Sequence, residues 1–177
     1  MKKLSMDELN RITPEQFKIQ DKLPLVVVLD SIRSMNNVGS VFRTCDAFKV
    51  EKLYLCGITA CPPNREISKT ALGATESVIW EYVEDVVELA KRLQEEGYKV
   101  FAVEQVDESA MLQDVDFQQY EKVAIVVGNE VLGVDERLLP ICDGAIEIPQ
   151  FGTKHSLNVT IAAGIVIWEV AKSKIIK

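Results

Sequence analysis

Leu25-Val26-Val27-Val28-Leu29 is an unbroken apolar run rich in β-branched residues, the composition of a strand buried on both faces of a parallel sheet. A strand with one wet face would alternate instead. Similar runs recur at 52–56, 78–82, 98–103, 123–127 and 145–148, with helical patterns between several of them, notably 38–48 and 84–96. Strands alternating with helices at this spacing predict an α/β domain, a mostly parallel sheet with helices on both faces and ligands at the carboxyl ends of its strands. The last helix, 157–174, is apolar nearly all round, from Val159 and Ile161 to Trp168 and Val170. Such a helix belongs in the core or against a second subunit. Ahead of the first strand, 5–20 read as helix, with Ser5 a plausible cap and Thr13-Pro14-Glu15-Gln16 a second start. The chain therefore divides into an N-terminal helical extension, 1–22, and one domain, 23–177.

With 177 residues, 47% of them hydrophobic, one domain can bury a sizeable core. No stretch of about 18 uncharged apolar residues occurs and no leader pattern opens the chain, so a cytoplasmic protein that does not span membranes is expected. Cys45, Cys56, Cys61 and Cys142 form no C-x-x-C pair, and His155 is the single histidine. Metal-site spacing is thus absent, and reduced cysteines suit a cytoplasmic compartment. A net charge of -7 argues against binding of nucleic acid through bulk electrostatics. The charge is uneven, however. Residues 1–70 hold eleven Lys/Arg against eight Asp/Glu, and 71–177 hold nine against nineteen, so a nucleic-acid face belongs in the first seventy residues.

Three polar, glycine-containing segments follow predicted strands. In Asn36-Asn37-Val38-Gly39-Ser40-Val41-Phe42-Arg43-Thr44, a helix starting near Val38 would be capped by Asn37. Arg43 would then lie in its apolar first two turns near the sheet's carboxyl edge, and this segment alone fits equally an arginine that points at an anion and a surface arginine beside an ordinary cap. In Gly128-Asn129-Glu130-Val131-Leu132-Gly133-Val134-Asp135 the glycine spacing is that of a phosphate loop, but Val-Asp stands where Lys-Ser/Thr is required. No G-x-G-x-x-G occurs either, which leaves a nucleotide-binding α/β protein without a motif. In Ile146-Glu147-Ile148-Pro149-Gln150-Phe151-Gly152-Thr153-Lys154-His155-Ser156-Leu157-Asn158, Ser156 and Asn158 could simply cap the helix that follows. A loop threaded there must also satisfy its backbone groups, and ligand atoms are one way to do so.

Taken in order, N-x-G-x-x-x-R, G-N-E-x-x-G and I-P-x-x-G-x-x-x-S-L-N-V resemble the SpoU/TrmH family of RNA ribose methyltransferases. Lys69-Thr70-Ala71-Leu72-Gly73-Ala74 is similar to that family's K-T-A-x-G-A loop. The resemblance runs from about Leu25 to Trp168. It implies a sheet whose C-terminal part is threaded into a trefoil knot (a SPOUT-like α/β knot), an exception to the general avoidance of knots. It further implies S-adenosyl-L-methionine held near Val103, Gly128, Ile148 and Leu157, a homodimer with the site near its interface, and a tRNA or rRNA substrate methylated on a ribose 2'-hydroxyl. Arg43 matches the family's catalytic arginine, and Asn37, Glu130, Ser156 and Asn158 match its other polar positions. No metal is implied. His155 falls at a variable motif position, which favours a loop or RNA-contacting role over that of a base. The rival from another class is a non-catalytic RNA-binding module that keeps the knotted fold.

Overall fold

The computed structural model describes residues 1–5 and 7–175. A 3-10 turn at Asp7–Leu9 precedes α1 (Pro14–Ile19), which carries a capping box between Thr13 and Gln16 and buries Phe17. The helical stretch expected over 5–20 is two short pieces that begin at the two expected starts, with Ser5 accepting from the N–H of Glu8 and Thr13 capping α1, and Met6 lies outside the described residues. The domain then runs β1 (Leu23–Asp30), α2 (Met35–Ala47), β2 (Val50–Cys56), α3 (Arg65–Ala71), α4 (Ala74–Ser77), β3 (Trp80–Val83), α5 (Val86–Glu95) and β4 (Tyr98–Val103). It continues through β5 (Ala110–Met111), β6 (Lys122–Val127), β7 (Gly144–Glu147) and α6 (Val159–Lys174).

The seven strands form one sheet in the order β3-β2-β1-β6-β4-β7-β5, and every named pair is parallel. All but one of the residues of β1 are buried, as its unbroken apolar run requires. Alternate residues supply two cores. Leu25, Val27 and Leu29 face α2 and α6 with Phe42, Ala163 and Val166, while Val26 and Val28 face α5 with Leu89, Leu93 and the 134–138 turn. Both faces of the sheet are therefore covered.

Helix α6 is not buried all round. Ala163, Val166, Ile167 and Val170 enter the core, whereas Ile161, Ile165 and Trp168 are exposed, Ile161 to 54%. Helix α2 lies beside it. Asn158 meets Asn37 near the start of both helices, and Trp168 meets Phe48 edge-on, 5.9 Å between centroids, near the end of α2. The two helices therefore run side by side in the same direction. Their shared starting end is the carboxyl edge of β1 and β6.

Candidate active site

A cavity of about 550 Å³ opens at the carboxyl ends of β4, β6 and β7, within the range of small-molecule sites. Val103, Ile148, Leu157 and Val159 supply apolar wall, and Gly128, Glu130, Ser156 and Asn158 also line it. After β6 the chain makes a tight turn in which Asn129 and Gly133 exchange backbone hydrogen bonds of 2.8 and 2.9 Å. Gly133 adopts φ +73°, a region that favours glycine. A Cβ on Gly128 would collide with the backbone of Gly133 and Val134. The two glycines of the G-N-E-x-x-G segment thus serve a close backbone approach, not a phosphate cradle. Asn129 secures the turn, its carbonyl oxygen accepting from the N–H groups of Val131 and Leu132 and its amide donating to the Ser31 carbonyl at 2.7 Å.

Glu130 ties this turn to the start of α2. Its carboxylate accepts from the backbone N–H groups of Arg33 and Ser34 at 2.9 and 3.0 Å and from the Asn37 amide at 2.8 Å. Partial burial opposes ionisation there, but these donors outweigh it and hold the carboxyl below its ordinary value. The Asn158 amide donates to the Asn37 carbonyl oxygen at 3.4 Å, and the same Asn158 caps α6 by accepting from the N–H of Thr160. Helix α2 begins three residues earlier than expected, at Met35, with Ser34 as its cap. A serine one residue before the apolar pattern competes with asparagine for this role. Because Ser34 takes it, the Asn37 side chain is free to link Glu130 to Asn158.

Three further cavity residues escaped the sequence reading. Glu104, just past β4, accepts from the N–H of Val134 at 3.1 Å and of Gln105 at 2.9 Å. Gln105 donates to the His155 carbonyl at 3.0 Å, which is the structural role of that exposed position. Glu147 accepts from the Ser109 hydroxyl at 2.9 Å. Their signal in the sequence was their position at the ends of two predicted strands, where an α/β sheet places its ligands. With Glu130 they give the cavity three carboxylates, and among the described residues no Lys or Arg lines it. The field inside suits a cationic ligand. Asp30, buried at the end of β1, accepts from the N–H of Asp135 at 2.9 Å and fixes the far side of the turn. Burial raises its carboxyl above the ordinary value in spite of that bond.

Arg43 stands apart. It is exposed and lines a separate groove of about 470 Å³ with Ser40, Thr44, Ala47, Phe48, Lys69 and Thr70. Six residues beyond Asn37 on α2, it lies roughly 9 Å further along the helix axis. It is therefore in the third turn of α2, not the first two, because the helix starts at Met35. Of the nine residues singled out, Val103, Gly128, Glu130, Ile148, Ser156, Leu157 and Asn158 line the cavity, Asn37 joins by hydrogen bonds, and Arg43 lies outside it.

The model of the SpoU rRNA Methylase family matches residues 24–168. A tRNA (guanosine(18)-2'-O)-methyltransferase of Thermus thermophilus is 30% identical over 151 residues, covering 85% of this chain and 76% of that protein. The 23S rRNA (guanosine-2'-O-)-methyltransferase RlmB of Neisseria meningitidis serogroup B is 30% identical over 154 residues, 87% of this chain and 60% of that protein. Among solved structures, the Aquifex aeolicus TrmH/SpoU tRNA modifying enzyme superposes with a TM-score of 0.79 at 28% identity, over 91% of this chain and 80% of that one. An AdoMet-bound rRNA methyltransferase from Sinorhizobium meliloti also gives 0.79, at 25% identity, over 89% and 62%.

Proposed function

Since this chain belongs to the SpoU rRNA methylase family, we propose that it transfers a methyl group from S-adenosyl-L-methionine to a ribose 2'-hydroxyl of a tRNA or rRNA. The observation that carries this reading is the convergence of three separated motif segments on one cavity, through the bonds from Glu130 to Asn37 and from Asn37 to Asn158. The relatives named as guanosine 2'-O-methyltransferases support the same chemistry.

The cavity suits the donor by its chemistry. Val103, Ile148 and Leu157 offer an apolar slot for a base, the loops offer backbone groups, and three carboxylates without a lining cation favour a positive charge. When bound, the donor supplies a methyl group on a positively charged sulfur. The ribose hydroxyl titrates far above neutrality, so the site must ease its deprotonation and stabilise the oxygen anion that develops. A guanidinium is a poor base and a good partner for phosphate and oxyanion, and that is the part Arg43 can play. We assign it to orienting the RNA together with a backbone phosphate. Asn37, Glu130 and Asn158 hold the loops that position the ribose, and Ser156, exposed at the mouth, shares that task. We assign no metal.

The C-terminal part reads as a trefoil knot. After β6 the chain passes β4 to insert β7 between β4 and β5, and α6 then returns to pack on β1 and β6, a path that supports threading. We read residues 1–22 as an extension ahead of the methyltransferase domain. A homodimer is supported by the exposed face of α6, where Ile161, Ile165 and Trp168 await cover. No helix among the described residues is long and apolar enough to cross a membrane. Four free cysteines support a reducing, cytoplasmic setting.

Incubation of the chain with radiolabelled S-adenosylmethionine and total RNA, followed by nucleoside mapping, tests the reading. Label in a 2'-O-methylated nucleoside is expected. Label confined to a base, or none in any RNA, would sink it.

A further inference from the structure

The Lys69-Thr70-Ala71-Leu72-Gly73-Ala74 motif lies outside the cavity, and the function above leaves it without a task. The structure shows it as the end of α3, a left-handed Leu72 at φ +49°, and the start of α4. Its Thr70 hydroxyl donates to the Asn36 carbonyl on α2 at 2.9 Å. Opposite it, a Cβ on Gly39 would collide with the Ile67 carbonyl and the Thr70 hydroxyl. Helices α2 and α3 therefore touch backbone to backbone at a point one helical turn before Arg43, and the spacing of the side chains beyond that point is fixed. Those side chains are Arg43 and Lys69, which flank the groove whose remaining polar lining is the hydroxyls of Ser40, Thr44 and Thr70. Among the described residues Arg43 makes no salt bridge. Lys69 pairs only with Glu66 at 2.6 Å, with both side chains about half exposed, a type of pair that holds weakly and yields to a better anion.

We propose that Arg43 and Lys69 together clamp one backbone phosphate of the substrate RNA, with Lys69 as a binding residue that Glu66 holds in reserve. This rests on the RNA-methyltransferase reading. Two cations set apart by a rigid helix contact match the charge of a phosphodiester, and their N–H groups match its acceptor oxygens, while the hydroxyls of Ser40, Thr44 and Thr70 are spent on backbone carbonyls of α2. The groove also lies in the first seventy residues, where the chain's positive excess sits.

The test measures affinity for unfractionated tRNA as a function of salt, S-adenosylmethionine binding, and KM and kcat for the RNA. Lys69→Ala should raise Kd and KM for RNA about tenfold and flatten the slope of log affinity against log salt by about 0.7–0.9. The loss should fall on KM rather than kcat, with cofactor affinity retained. Lys69→Arg should recover most of the loss. Glu66→Gln should move the other way, tightening RNA binding about two- to threefold. Inorganic phosphate at matched ionic strength should not reproduce the RNA effect, which separates a backbone phosphate from a free anion. If Lys69→Ala keeps the wild-type affinity and salt slope while the wild type methylates RNA, the clamp is wrong and the function stands. If the wild type neither binds nor methylates any RNA, both fall together.

Discussion

The cavity is tied to the start of α2 through Asn37 and Asn158, and the Arg43 groove lies further along α2 against α3, yet the two are built in opposite ways. The cavity is shaped by backbone loops braced by Glu104, Gln105, Asn129 and Glu130, each bonded to a main-chain group of another segment. The groove carries its charge on two exposed side chains, Arg43 and Lys69, and Arg43 has no salt bridge among the described residues. A braced site is complete before its ligand arrives, whereas an open one is completed by what binds. We read that difference as favouring the small, uniform donor for the first and the large, variable RNA for the second.

Mutation can separate the two regions. The largest effect is expected at the groove. Arg43→Ala should lower single-turnover methyl transfer about 100-fold to 1,000-fold while cofactor affinity is unchanged, and Arg43→Lys should not restore it, because lysine lacks the planar fork. Retention of more than about a tenth of the wild-type rate would remove Arg43 from the chemistry. Next is the exposed face of α6. Ile161→Glu should weaken a homodimer about 30-fold or more, read by light scattering across a dilution series, while the monomer keeps its fold because Ile161 is exposed. A wild-type chain monomeric at every concentration would refute the assembly.

At the cavity, Gly128→Ala should cost about 1–3 kcal/mol through the collision with Gly133 and Val134. It should also abolish the rise in melting temperature produced by S-adenosylhomocysteine, and a full ligand-induced shift would show that the turn is looser than described. The smallest effect is expected at Glu130→Gln, about 1 kcal/mol by chemical denaturation. Glu130 has its carboxyl pKa depressed in the fold, so its contribution is present above the ordinary glutamate value and lost as pH falls through the folded one. The variant and the wild type should therefore converge in stability under acid. An equal difference at every pH would mean that the charge is not what Glu130 supplies.

The comparison also marks how far the sequence could be read. The six apolar runs located the six longer strands, the central ones because burial on both faces leaves an unbroken signature, and β3 and β7 because they keep apolar residues although most of their residues are only half-buried. The two residues of β5 at the sheet edge left none. Helix α3 was invisible because its seven residues carry only Ile67 and Ala71 on the buried side, too few for a period to show. The cavity's lining was legible because its loops follow strands and carry costly residue types. Its bracing was not, since Arg33, Ser34 and Val134 act through backbone N–H groups that any residue could supply. Nor could spacing reveal that Ser34 would cap α2 and release Asn37, a competition between two cap residues three positions apart.

The bonds that close the cavity have a consequence for the order in which the molecule comes into being. Asn37 and Asn158 are 121 positions apart, and Arg33 and Glu130 are 97 apart. On the ribosome, at about 5–20 residues per second, roughly 6–24 s pass between synthesis of the first asparagine and the second. Contacts so distant along the chain also close late and slowly. Through most of that interval β1 and β2 can pair while the start of α2 lacks Glu130, and Asn158 joins only at its close. On the proposed reading, competence for methyl transfer arrives only with the last helix.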